Sequence, residues 1–186
     1  MEGTHSESEP RAFAHLLDQF AALSEAAENA GGTPGTVTGG HHDLGADIWL
    51  STDPAGHSAM ACQVSGQGGF RLSLEAGDSG AWACLGMRLP TETLRRGQYL
   101  GVLVAVQSET PVSFTPTLRY FPATGGLLDV PAQAPVFLSG RSAGNLSHIQ
   151  LDPRQLDTAL GCELNLFFHN DAFAADFLKI EPLLIL

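Results

Sequence analysis

The apolar positions of this chain change period once along its length. From Phe13 to Leu23 they recur at helical spacing: Phe13, Leu16, Leu17, Phe20 and Leu23 fall on one stripe. Ser8 is placed to cap that helix, Pro10 lies in its first turn, and Gly31-Gly32 ends it. From about Asp43 the period falls to two. Strands are predicted near Asp47–Ser51, His57–Val64, Gly69–Glu75, Ala81–Leu89, Gln98–Val106, Val112–Phe121, Pro135–Leu138, Leu146–Leu151, Glu163–His169 and Ala175–Leu186. Between the zones, residues 31–42 are rich in glycine and read as a flexible linker. The expected organisation is a helix over 1–30, a linker over 31–42 and a β domain over 43–186. Many strands with almost no helix between them imply an antiparallel sandwich or barrel. The one exception is DPRQLDTAL, where Asp152 caps a short helix that has Pro153 in its first position.

Alternation sorts each strand into two faces. Val112, Phe114, Leu118 and Tyr120 make an apolar face against Ser113, Thr115, Thr117 and Arg119. Phe70, Leu72 and Leu74 do the same in their strand, as do Ala83, Leu85, Met87 and Leu89, and Leu164, Leu166 and Phe168. The opposite faces carry Trp82, Cys84, Gly86 and Arg88 in one strand and Glu163, Asn165, Phe167 and His169 in another. If these strands share a sheet, one surface collects Trp82, Arg88, Arg119, Asn165 and His169, with His148 added from Leu146–Leu151. An aromatic ring beside Arg, Asn and His side chains suits a sugar, whose C–H face stacks on indole while its hydroxyls take directed hydrogen bonds.

Charge narrows the field of partners. A formal net charge of -11 with only nine Lys and Arg opposes binding to nucleic acid and to anionic membranes. No apolar run reaches membrane-spanning length, and MEGTHSESEPR has neither the basic nor the apolar region of a signal peptide, so synthesis in the cytoplasm is expected. Cys62, Cys84 and Cys162 lie in apolar strands without paired or CxxC spacing; all three are expected as buried thiols.

The segment LRRGQYLGVLVAVQSETPVSFTPTLRY, Leu94 to Tyr120, resembles the central hairpin of jelly-roll carbohydrate-binding modules and of the wider galactose-binding-like sandwiches, with Gly97, Tyr99, Val104, Val106 and Ser108 in the matching places. AADFLKIEPLLIL, Ala174 to Leu186, is similar to their final strand, opened by Asp176 and Phe177. The resemblance implies an all-β jelly-roll sandwich, here with an N-terminal helical extension. In it Gly97 serves as a turn glycine and Tyr99 as a core aromatic. It also implies a non-catalytic module that binds a polysaccharide. No cofactor is expected, although such sandwiches often hold a structural calcium ion, which could use backbone oxygens with Asp171, Asp176 or Asp43.

Other chemistries lack their residues. His41-His42-Asp43 sits in the glycine-flanked linker, no His-x-His pair marks a cupin metal site, and no G-x-S-x-G elbow is present. Glu75, Asp78, Glu163, Asp171 and Asp176 are available to a glycosidase, but nothing in the sequence pairs them. The alternative reading is a structural subunit of an appendage, a phage-like particle or a polysaccharide-handling complex. A helix this short is marginal alone in water, so the stripe Phe13, Leu16, Leu17, Phe20 and Leu23 must either dock on the sandwich or, as in this alternative, meet another chain.

Overall fold

A computed structural model describes Phe13, Ala14, Asp18, Ala21 and residues 35–45, 47–65 and 69–186. The fold is an antiparallel jelly-roll β-sandwich of eleven strands. These are β1 (Gly35–Thr38), β2 (Gly40–Gly45), β3 (Ile48–Thr52), β4 (Ala59–Val64), β5 (Phe70–Leu74), β6 (Ala83–Leu89), β7 (Tyr99–Pro122), β8 (Leu128–Pro131), β9 (Val136–Gln150), β10 (Ala159–Phe168) and β11 (Phe173–Ile185). Two short helices, Thr91–Leu94 and Pro153–Thr158, sit in connections. The second begins as expected, with Asp152 Oδ1 accepting from Arg154 N at 2.9 Å.

Strand order runs β1-β4-β5-β11-β7-β10-β6-β3-β2, with β8 and β9 also on β7. Two strands, β7 and β9, run through both layers, and β7 is the one that joins them to β11 and β10. Residues Tyr99 to Gln107 of β7 pair with β11, whereas Phe114 to Pro122 pair with β10. One layer is therefore β1-β4-β5-β11-β7, and the other β7-β10-β6-β3-β2 with β8 on its β7 side. This corrects the expectation of a central hairpin: Gln98–Val106 and Val112–Phe121 are halves of one bent strand. The ladder shifts between Val106 and Val112, and side chains stand in for its missing bonds. Ser108 Oγ donates to Thr110 O at 2.6 Å and to Ala174 O at 3.1 Å. Asn170 accepts from Ser113 N at 2.7 Å and donates to Pro111 O at 3.0 Å. β9 likewise joins two predicted strands.

Alternation governs what each strand buries. Val112, Phe114, Leu118 and Tyr120 are all 0% exposed, and Phe70, Leu72, Leu85, Met87, Leu164, Leu166 and Phe177 join them in a single core. Cys62, Cys84 and Cys162 are free and buried. Tyr99 is not a core residue: it lies on the outward face, edge-on to His148 at 5.7 Å.

One expectation near the N-terminus changes. Gly35–Thr38 and Gly40–Gly45, read as linker or its border, form β1 and β2 and pair with β4 and β3. Buried Val37 and Leu44 anchor them, and Gly39 and Gly40 (φ 64° and 125°) supply the left-handed backbone that turns one into the other. Phe13, from the stripe expected either to dock on the sandwich or to meet another chain, is 2% exposed within the core cluster, as docking requires. Leu16, Leu17, Phe20 and Leu23 lie outside the described residues. Among those residues no helix is long and apolar enough to cross a membrane.

Candidate functional site

The outward face of the layer β2-β3-β6-β10-β7-β8 carries an open cleft of about 750 Å3. Register builds it row by row. In the middle row Asn165 of β10 stands opposite Gly86 of β6 and Thr117 of β7, and Gly86 stands opposite Trp49 of β3. The absence of a side chain at Gly86 decides this row. A Cβ there would collide with Cε2 and Nε1 of Trp49, so the indole lies over the glycine backbone and is only 8% exposed. His41 of β2 leans on the same indole, ring centroids 5.7 Å apart.

Asn165 forms part of the cleft lining at 2% exposure. Its Oδ1 lies 3.8 Å from Cys84 Sγ, while its Nδ2 has no hydrogen-bond partner. Burial of Cys84 pushes its thiol up to about 12, so it contributes neither charge nor nucleophile.

The next row alternates in sign across five elements: Asp47, Arg88, Glu163, Arg119 and Asp129. Arg88 N bonds to Asp47 O, Glu163 pairs in register with Arg88 on one side and Arg119 on the other, and Arg119 pairs with Asp129. Arg119 grips Asp129 with two parallel bonds, Nε to Oδ1 at 2.7 Å and Nη2 to Oδ2 at 2.8 Å, and its guanidinium lies 5.8 Å from the Phe167 ring centroid. That grip raises the Arg119 pKa further. Glu163 is held above the ordinary carboxylate range by burial; Arg119, Arg88 and His41 oppose the rise, and the nearby Asn165 amide opposes it least. A second hollow of about 150 Å3 continues the cleft past Glu163, lined by His41, Asp43, Asp47, Trp49 and Arg88.

At the other end Trp82 is 38% exposed, its Nε1 3.5 Å from Ser51 Oγ, and exposed His169 holds Thr115 Oγ1 by Nε2 at 2.7 Å. Leu127, 59% exposed, and Phe121 add apolar rim.

Of the six residues singled out in the sequence, Trp82, Arg119, Asn165 and His169 line the cleft, and Arg88 lines its continuation. His148 does not join them. Its stretch of β9 pairs with Gly101 in the other layer, placing it in a separate hollow with residues 132–136. Sequence reasoning missed Trp49, His41 and Asp129. Trp49 was signalled by Gly86, a lone glycine inside an apolar strand, which marks close approach. Asp129 had no such signal, because β8 is four residues long with no buried apolar residue. Asp176 pairs with Arg71 at 3.2 Å in the other layer, and among the described residues no group of three or more His, Cys, Asp or Glu could hold a metal ion.

No family profile and no curated protein matches the chain. Among solved structures it is similar to the CBM22-1 xylan-binding domain of Xyn10C from Paenibacillus barcinonensis, with 12% identity, a TM-score of 0.51, and coverage of 83% of this chain and 95% of that one. It is similar also to the CBM22-1–CBM22-2 tandem domain of the same protein, at 11% identity and a TM-score of 0.51, covering 83% of this chain and 45% of that one. At these identities the likeness is one of fold, and the fold this chain shares is the jelly-roll sandwich of a carbohydrate-binding module.

Proposed function

We propose that this protein binds a polysaccharide in the cleft formed by β2, β3, β6, β10, β7 and β8, and does not transform it. The observation that carries the reading is the open cleft of about 750 Å3 itself, flanked by the indoles of Trp49 and Trp82, the latter 38% exposed. The exposed indole of Trp82 offers a face for sugar C–H groups, and Glu163 and His169 offer further hydrogen bonds at the spacing of alternate strand residues.

The carboxylates favour binding over hydrolysis. A glycosidase needs an acid and a second carboxylate free to act on sugar or water. Asp129 has both oxygens taken by Arg119, and Glu163 lies in register between two guanidiniums.

The solved xylan-binding domain makes xylan the first probe, within a broad array of neutral polysaccharides. Selective binding is expected, weakened by Trp82→Ala without loss of fold, since Trp82 lies outside the core. Silence of the folded wild-type protein across the array would refute the proposal.

A further inference from the structure

The alternating row supplies a basis for discrimination between ligands. The cleft and its continuation present two guanidiniums, Arg88 and Arg119, against four carboxylates, Asp43, Asp47, Asp129 and Glu163. Neither cation stands apart from a carboxylate. Arg119 spends Nε and Nη2 on Asp129 and lies close to Phe167, while Arg88 stands in register beside Glu163 and is hydrogen-bonded through its backbone to Asp47. Recognition of a carboxylate or sulfate needs a guanidinium with two donors free and no anion beside it. A sugar acid entering here would instead face Glu163 in the middle of the row, in a chain whose net charge is already -11.

We infer that the cleft rejects anionic glycans and that Glu163, through its place between Arg88 and Arg119, is the residue that sets this discrimination. The inference rests on the glycan-binding proposal and adds to it a sign: the ligand is uncharged along the stretch that crosses β10. Glu163 acts in two ways. Its own charge repels an acid group, and that charge offsets the two guanidiniums that flank it in the row. Removing the charge while keeping the shape removes both effects.

The test compares two derivatives of the neutral polysaccharide that the array selects, one carboxymethylated and one hydroxyethylated to a similar degree, by isothermal titration at neutral pH and low salt. The wild-type protein is expected to bind the carboxymethyl form about tenfold more weakly than the hydroxyethyl form, the size of one like-charge contact near a protein surface. Glu163→Gln should narrow that ratio severalfold, and added salt should narrow it for the wild-type protein. Asp129→Asn, at a 40% exposed side chain, frees the Arg119 fork and should shift the ratio the same way even if the Gln variant fails to fold. Equal binding of the two derivatives, or a ratio unmoved in the folded variants, overturns the inference and leaves the binding proposal standing. A wild-type protein that binds no polysaccharide overturns both.

Discussion

Gly86→Ala is the smallest change that probes the construction of the cleft. By backbone preference alone it should help, since glycine inside a strand costs about 0.5–1 kcal/mol relative to alanine. The structure predicts the opposite. The new methyl would enter the Trp49 indole, and Trp49 is 8% exposed, wedged between Gly86 and the ring of His41. Overpacking of this kind costs about 1–3 kcal/mol, so the collision wins and the net loss is about 1–2 kcal/mol. For a chain of this length that lowers Tm by about 2–8 °C. Scanning calorimetry gives the loss, and Trp49 fluorescence in a Trp82→Phe background shows whether the indole has moved. The cause can be isolated with Trp49→Leu, which removes the obstacle. If the collision is real, the double variant loses less than the two single losses added together, with a coupling of about 0.5–3 kcal/mol. A Gly86→Ala protein as stable as wild type, or a strictly additive cycle, would refute the account of how Trp49 is seated.

Three more outcomes follow from other parts of the molecule. In the native protein at pH 8 none of the three thiols should react quickly with an aromatic disulfide reagent, because burial pushes Cys62 and Cys84 up to about 12 and raises Cys162 as well; all three should react in denaturant, and a fast native thiol would contradict the burial. Glu163 has a raised pKa in the folded state, so its neutral form favours folding below the usual glutamate range and that contribution is lost as pH rises through the raised value. Glu163→Gln should therefore be more stable relative to wild type at pH 7.5 than at pH 4, and denaturant titrations at the two pH values would show no change in the gap if this is wrong. Asn170→Ala removes two bonds to the backbone at the bend of β7 and should cost about 1 kcal/mol or more, read as a shift of the urea midpoint; no shift would mean the bend holds itself.

The sandwich was legible because burial imposes a period of two: Phe70, Leu72 and Leu74, or Leu118 and Tyr120, could face nowhere else. The bend in β7 was not, since Ser-Glu-Thr-Pro, residues 108–111, has the composition of a turn between strands. What carries it through is Asn170, 59 residues beyond Pro111, and no local pattern reveals such a partner. β1 and β2 were hidden by their glycines, which suggest freedom but here serve a tight reversal. Outward-facing positions in the cleft could be named from parity. Which strands lie side by side is a matter of register, and that is why His148 was grouped wrongly and Asp129 overlooked.

The shared strand β7 also ties together the energetics of the two layers. Because β7 belongs to both, opening one layer pulls on the ladder that the other half of β7 makes in its partner. The cooperative unit is thus the whole sandwich. A polysaccharide occupying the cleft should then slow amide exchange in β5 and β11, which never meet it. In hydrogen-exchange mass spectrometry the far layer would report occupancy as faithfully as the near one.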